Sequence, residues 1–137
     1  MEYRPIRITD IIEYINRDYY LPAIQREFVW EPEDVEKIFD SIMRNFPIGS
    51  FLFWKVKEEN KDDWAIYKFI SDFNREEPHN DLANLHGVNK DIYLILDGQQ
   101  RITSFYIGLK GSYRHFHYKW RTSRLYLNLL KKPIPNE

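Results

Sequence analysis

The five residues from Asp97 to Arg101, which read Asp-Gly-Gln-Gln-Arg, constrain the fold of this chain more than any other stretch of its sequence. They directly follow residues 92–96, an apolar run typical of a buried strand, and directly precede residues 102–109, where apolar side chains recur at helical spacing. A strand, a glycine and then a helix start leave backbone N–H groups free to bind an anion. We therefore expect this glycine turn, residues 97–101, to bind a phosphate group.

The residue types in the glycine turn suit phosphate chemistry. Gly98 permits a positive φ or a close backbone approach, and Gln99 and Gln100 offer amide donors and acceptors. Arg101 carries a planar fork that matches a phosphate, and Asp97 could coordinate a divalent metal such as Mg²⁺ or orient a water. The residues alone also allow a structural alternative, a helix start in which Arg101 pairs with a surface acid.

A second polar group, Gln25-Arg26-Glu27, lies between two apolar stretches, residues 22–24 and 28–30. Apolar residues on both sides indicate that this polar triad faces a cleft. Arg26 would then add a second cation to the same anion, and Glu27 is a candidate base. The alternative is a surface loop that its apolar neighbours simply anchor.

Composition sets the class of protein. The 137 residues suffice for one domain, and a hydrophobic content of 43% with a net charge of −1 indicates a globular chain. The absence of cysteine excludes disulfides, thiolate catalysis and cysteine-based zinc sites. No signal core or membrane-spanning run is present in the sequence. We predict a single cytoplasmic domain over residues 1–137, with no membrane partner, that forms the N-terminal part of a longer protein.

Apolar periodicity predicts the secondary structure. Helices are expected over residues 8–16, 31–45 and 102–109, and strands over residues 48–56, 64–70, 91–96 and 124–129. Pro22 argues against a helix in residues 19–30, where we expect an extended loop or an edge strand. The polar residues 71–90 are expected to form a loop.

Positive charge is concentrated near the C-terminus. Residues 1–109 hold 13 Lys and Arg against 20 Asp and Glu, whereas the basic segment, residues 110–132, holds seven Lys and Arg and no acid. This segment could bind DNA or dock the remainder of a larger protein. The candidate DNA contacts are Lys110, Arg114, Lys119, Arg121 and Arg124.

Aromatic side chains alternate with cations in residues 113–121. This pattern can stack single-stranded bases, but an amphipathic edge strand that covers the core is the stronger interpretation. His115 and His117 would share one face of that strand, yet no third ligand lies at a familiar metal-binding spacing, so an exposed polar face is favoured over a metal site.

Four ordered motifs resemble the N-terminal domain of GmrSD-type restriction and phage-defence proteins, a group similar to the ParB/sulfiredoxin-like superfamily. They run from about residue 8 to residue 109: Leu-Pro-Ala-Ile-Gln-Arg-Glu-Phe-Val-Trp at 21–30, Phe-Asp-Ser-Ile at 39–42, Phe-Pro-Ile-Gly-Ser-Phe-Leu-Phe-Trp at 46–54 and Leu-Asp-Gly-Gln-Gln-Arg-Ile-Thr-Ser at 96–104.

The resemblance implies an α+β fold with a small mixed β-sheet and flanking helices. It also implies that the glycine turn contacts nucleotide phosphates and that Gln25 and Arg26 line the same pocket. Relatives hydrolyse nucleoside triphosphates, with Mg²⁺ expected, and thereby control a nuclease, usually a C-terminal HNH-type domain. No His-Asn-His pattern follows residue 109 in this chain.

We therefore predict a nucleotide-binding, nucleoside-triphosphate-hydrolysing domain that regulates a DNA-targeting defence protein. The nucleotide-binding residues would be Gln25, Arg26, Gly98, Gln99, Gln100 and Arg101, and the catalytic residues would be Asp97, Arg101 and Glu27. Two alternatives remain, a module that senses nucleotide or modified DNA without catalysis, and a ParB-like nuclease. The nuclease ranks last because only one acidic metal ligand is well placed.

Overall fold

The structure, a computed structural model, describes residues 1–130. Within that range the order of elements is α1 (Ile8–Tyr14), β1 (Tyr19–Pro22), α2 (Pro32–Met43), β2 (Leu52–Val56), a 3-10 helix (Glu58–Asp63), β3 (Ile66–Tyr67), β4 (Asp72–Asn74), β5 (Ile92–Asp97), α3 (Gln99–Lys110), β6 (Ser112–His117) and β7 (Lys119–Ser123). None of the helices in this range is both long and apolar enough to cross a membrane.

A four-stranded mixed sheet with the strand order β2-β5-β1-β3 forms the centre of the fold. β5 pairs in parallel with β1 and antiparallel with β2, while β3 runs antiparallel to β1. Ile92, Leu94 and Ile95 are all buried, so β5 has no solvent-facing side over most of its length, as its continuous apolar run predicts. The strand reaches the surface only at its end, where Leu96 is 43% exposed, and the glycine turn begins there.

A second, three-stranded sheet has the order β4-β6-β7. β4 and β6 are parallel, and β6 and β7 form an antiparallel hairpin. Two small mixed sheets with flanking helices confirm the predicted α+β class. The relation to the ParB/sulfiredoxin-like superfamily stays a prediction.

Helix α3 contributes to both halves of the core. Ile102 lies in one buried cluster with Ile11, Leu21 and Ile95, below α1 and the first sheet. Ile107 lies in another cluster with Phe28 from the segment before α2, Val35 of α2, and Phe73 and Tyr113 of the second sheet. Because α3 starts at the glycine turn, this burial fixes the position of the turn.

Helix α2 forms over nearly the predicted range because its first turn is well capped. Glu31 and Asp34 form a reciprocal capping box, and Pro32 occupies the first turn, where its missing N–H costs nothing. The helix ends as predicted near Asn45, which adopts a φ of 59°.

Several predicted strands were wrong or too long. The strand expected over residues 48–56 begins only at Leu52, and that over residues 64–70 shrinks to Ile66–Tyr67. No strand forms over residues 124–129, since the alternating residues there find no partner strand within residues 1–130.

Two further expectations need correction. The loop predicted over residues 71–90 contains the short strand β4, which pairs with β6. The edge strand at Pro22 is an interior strand, and proline is tolerated because Pro22 is its last residue and lies beyond the paired positions Tyr19 and Tyr20 on the β5 side.

We expect Phe105→Ala to lower the free energy of unfolding by about 3–5 kcal/mol, because this fully buried ring packs edge-on against Phe39 and Phe51. Urea denaturation followed by circular dichroism measures the change. Phe116→Ala is the matched control, because that ring is 59% exposed and its loss should cost less than about 1 kcal/mol. Similar losses for the two variants would contradict the assignment of Phe105 to the core.

Candidate functional site

The two polar segments singled out in the sequence meet at one open cleft of about 510 Å³. The polar triad contributes Gln25 and Arg26, and the whole glycine turn forms the opposite side. Ile24, Trp30 and Leu96 supply apolar surface. The cleft is within the usual size range of small-molecule sites and combines apolar walls with convergent polar groups.

The glycine turn directs the start of α3 into this cleft. Gly98 has a φ of 91° in the left-handed region, and the ring of Phe51 lies where a Cβ would be. Glycine is therefore required here both for its backbone conformation and for the close packing of Phe51. The Asp97 carboxylate accepts a hydrogen bond from the Gly98 N–H at 2.9 Å, which closes the turn.

Arg101 holds the loop that precedes β2. Its Nη1 donates to the Ile48 carbonyl at 2.7 Å and its Nη2 to the Ser50 carbonyl at 2.8 Å. The guanidinium also lies 4.5 Å from the centre of the Phe51 ring. Within residues 1–130 Arg101 forms no ion pair with the surface acid that the structural alternative expects, and its side chain binds main-chain carbonyls instead.

Gly49 shows how closely Arg101 approaches this loop. Its φ is 87°, and a Cβ at this position would lie 2.8 Å from Arg101 Nη1. A residue with a side chain would therefore strain the backbone and push against the guanidinium. The bend at Gly49 also explains why the predicted strand begins only at Leu52.

Gln100 makes a similar attachment to the last residue of the polar triad and to the segment beyond it. Its Oε1 accepts from the Val29 N–H at 3.0 Å, and its Nε2 donates to the Glu27 carbonyl at 3.0 Å. The side-chain amide thus pairs with the main chain as a neighbouring strand would. Gln99 donates from Nε2 to the Ile95 carbonyl at 2.9 Å, which leaves its Oε1 without a partner within residues 1–130.

Several polar groups at the cleft have no partner within residues 1–130 and are free to bind a ligand. Within residues 1–130 the backbone N–H groups of Gln99, Gln100 and Arg101 have no hydrogen-bond acceptor, as expected for the first turn of a helix. Arg26 is exposed and pairs with no carboxylate in that range. Gln25 Oε1 is buried without a hydrogen-bond partner. Three N–H donors, one cation and amide oxygens together suit an anionic ligand that also carries polar groups.

Glu27 is not among the residues that line the cleft. Its carboxylate pairs with His79 Nδ1 at 2.7 Å on an exposed part of the surface. Of the three predicted catalytic residues, the structure therefore brings only Asp97 and Arg101 to the cleft. The role of Glu27 as a base stays a prediction.

Trp30 forms one wall of the cleft, although the sequence interpretation did not include it in the site. A hydrogen bond to its carbonyl holds this wall in place. The Tyr113 hydroxyl donates to the Trp30 carbonyl at 2.8 Å and accepts from Arg75 Nη2 at 3.2 Å. Burial raises the pKa of Tyr113 above its ordinary value, so the phenol stays protonated and keeps donating. Arg75 in turn pairs with Glu31. The apolar residues on either side of the polar triad were the signal that could have identified this wall.

No group of three or more His, Cys, Asp or Glu side chains within residues 1–130 is arranged to hold a metal ion. A single carboxylate such as Asp97 can still bind Mg²⁺ when a ligand's phosphates and water supply the other oxygens.

The family model described as "GmrSD restriction endonuclease, N-terminal domain" matches residues 8–137. An uncharacterised protein of the archaeon Methanocaldococcus jannaschii is 36% identical over 89 residues, which are 65% of this chain and 14% of that protein. The chain thus spans only a small part of the length of this curated relative.

We expect Arg101→Lys to lower the free energy of unfolding by about 1–3 kcal/mol with no nucleotide present. Lysine keeps the charge but cannot donate to both carbonyls in fork geometry or stack on Phe51 in the same way. Urea denaturation measures the change. Arg26→Lys is the matched control and should alter stability by less than about 0.5 kcal/mol. Equal stability of the two variants would show that Arg101 does not hold the loop before β2.

Proposed function

Because the chain belongs to the family of GmrSD restriction endonuclease N-terminal domains, we propose that it is the nucleotide-binding regulatory domain of a DNA-targeting restriction or phage-defence protein. In this proposal the cleft binds a nucleoside triphosphate in the cytoplasm. Hydrolysis of that nucleotide controls a nuclease domain elsewhere in the longer protein. Membership of the ParB/sulfiredoxin-like superfamily is part of the same proposal.

The observation that carries the proposal is the opening of the α3 N-terminus into a cleft lined by both polar segments. A helix N-terminus acts as about half a positive charge, and its first N–H groups point at whatever lies beyond it. Arg26 lines the same cleft. A nucleotide's phosphates would satisfy donors on both sides.

Each cleft residue has a proposed role. The N–H groups of Gln99, Gln100 and Arg101 would bind phosphate oxygens, with Arg26 as the added cation. Arg101 already donates two N–H groups to carbonyls, so it would contribute its remaining donors and its charge. Gln25 Oε1 and Gln99 Oε1 would accept from the sugar or base. Three apolar side chains of the cleft would contact the base, namely Ile24, Trp30 and Leu96.

Asp97 fits the role of an Mg²⁺ ligand. One of its oxygens accepts the Gly98 N–H, and the other is available to the cleft. Mg²⁺ sites in phosphate-binding proteins commonly use one or two carboxylates together with phosphates and water. When bound, the ion would neutralise phosphate charge, while the residues of the cleft position the nucleotide.

A second candidate, nucleotide sensing without hydrolysis, is favoured by one observation. Asp97 is the one carboxylate among the described residues that line the cleft, and Glu27 is paired with His79 outside it. A site with few acid–base groups binds a nucleotide more readily than it hydrolyses one. Phosphate release separates the two candidates.

We expect this chain to bind ATP or GTP in the presence of Mg²⁺, and Arg26→Ala to weaken binding by about tenfold to a hundredfold. The loss corresponds to one charge-assisted hydrogen bond of about 1.5–3 kcal/mol. Isothermal titration calorimetry measures the affinity. Arg4→Ala is the matched control, since Arg4 is exposed and contacts only Glu2.

The same proteins separate hydrolysis from sensing. Asp97→Asn should reduce phosphate release by at least about a hundredfold if the nucleotide is hydrolysed. Binding without phosphate release in the unchanged chain would favour the sensing module. An unchanged chain that binds neither nucleotide would overturn both candidates.

A further inference from the structure

The β6–β7 hairpin extends beyond the body of the domain. Within residues 1–130, β4 pairs with β6 only over Ser112–Arg114, and the outer part of the hairpin pairs only with itself. Every residue of β7 is exposed. At about 3.4 Å per residue, the part of the ribbon beyond Arg114 is about 10 Å long.

The pairing register gives this ribbon two chemically different faces. His115 lies opposite Arg121, and His117 lies opposite Lys119, so these four basic side chains share one face. The other face carries an aromatic pair, Phe116 and Trp120, whose ring centres are 5.7 Å apart.

Arg114 extends the aromatic face with a charge. Its guanidinium lies 5.5 Å from the Trp120 ring centre, in a cation–π contact that holds it over the ring. The Phe116 ring is 59% exposed, so this aromatic pair on the outer part of the hairpin adds little to the core. The arrangement therefore differs from the amphipathic edge strand expected from the sequence, which would turn its apolar face to the core.

The positive charge of this region is not neutralised by the domain. Residues 110–130 contain no Asp or Glu, and no ion pair within residues 1–130 involves their cations. The body of the domain is acidic, so this charge is not a general property of the surface. A protruding, uncompensated cationic ribbon complements a polyanion.

The hairpin tip presents another aromatic side chain. Tyr118 connects the two strands with a φ of 60° and is 89% exposed. A positive φ is rare for a residue of this size, and glycine or asparagine would form the turn with less strain. The Tyr118 ring packs edge-on against His117, with ring centres 4.6 Å apart, and its exposed surface is available to contact a partner.

We propose that the β6–β7 hairpin binds double-stranded DNA by entering its major groove. The major groove is about 12 Å wide and 8.5 Å deep, and it admits a two-stranded β-ribbon of the length seen here. Phosphate strands flank such a ribbon on both sides. Arg114 on one face and Lys119 and Arg121 on the other can therefore all neutralise phosphates, with Arg124 at the base of the ribbon.

This DNA-binding surface is separate from the nucleotide cleft. α3 runs from the glycine turn to Lys110, one residue before β6, and a helix of its 12 residues is about 18 Å long. The inference therefore does not depend on whether the cleft hydrolyses, or even binds, a nucleotide.

We expect the 137-residue chain to bind a fluorescein-labelled duplex of about two helical turns, with an affinity that falls roughly a hundredfold between about 50 and 200 mM salt, as four phosphate contacts predict. The double variant Lys119→Gln/Arg121→Gln should bind more weakly at low salt and lose only about tenfold over the same range. Fluorescence anisotropy measures both.

The matched control is Lys57→Gln/Lys68→Gln, which removes two exposed cations from the body of the domain. It should leave the salt dependence unchanged, and thermal melts of both variants should match the unchanged chain. Nucleotide affinity should also be unchanged in both, which separates this proposal from that for the cleft.

Three outcomes would overturn the proposal. One is equal duplex binding by the two double variants, and another is the absence of duplex binding at low salt. The third is a preference for a single strand of the same length, which would assign the aromatic face to unpaired bases. Concentration-dependent self-association that the hairpin variant abolishes, without duplex binding, would make the hairpin a protein interface instead.

Discussion

Two side chains in the first turn of α3 attach two distant loops to the centre of the fold. Arg101 donates to the carbonyls of Ile48 and Ser50, and Gln100 pairs with the main chain at Glu27 and Val29. Both loops lack regular structure and would otherwise leave these main-chain groups without partners in the domain. The cleft depends directly on the Gln100 attachment, which joins the segment leading to Trp30 to the glycine turn, and both segments line the cleft.

Within the glycine turn, some groups hold the fold together and others remain free for a ligand. Arginine and glutamine in a polar turn suggest ligand contacts, but here they mainly hold protein carbonyls and amides. The groups left free are the backbone N–H groups of the first helical turn, together with Asp97 and Arg26. A ligand would therefore meet donors whose positions are already fixed, so little conformational entropy would be lost on binding. The turn can thus be essential to the fold and to a ligand site at the same time.

The elements predicted correctly from the sequence are those whose local signals agree with their packing. α2 has a capping box and an apolar stripe, and β5 is apolar without interruption. The errors arise where structure depends on distant partners. Residues 124–129 alternate as a strand should, but alternation cannot reveal whether a sheet edge is available to pair with it. Pro22 was assigned to an edge because sequence cannot show that its strand ends there.

The same limit applies to the site. The residue types and the family resemblance predict that the polar triad and the glycine turn share a pocket, and the structure places Gln25, Arg26 and the turn around one cleft. The sequence could not show that the side chains of Gln100 and Arg101 bind main-chain groups of the protein itself, because those groups lie more than 50 residues away along the chain. The position of Glu27 could not be inferred either, since it depends on His79, in a segment read only as a loop.

Helix α3 reaches both proposed sites. Its first turn forms part of the cleft, its buried face spans two core clusters, and only Gly111 separates its last residue from the hairpin. Because Ile102 and Phe105 are fully buried, the helix cannot shift at one end without disturbing packing along its length. A nucleotide would influence the hairpin by favouring one position of α3, or of the contact between Trp30 and Tyr113, over another, in proportion to its difference in affinity for the two. Regulation of DNA binding through this domain would thus involve α3, the two loops attached to its first turn and the hydrogen bond between Trp30 and Tyr113.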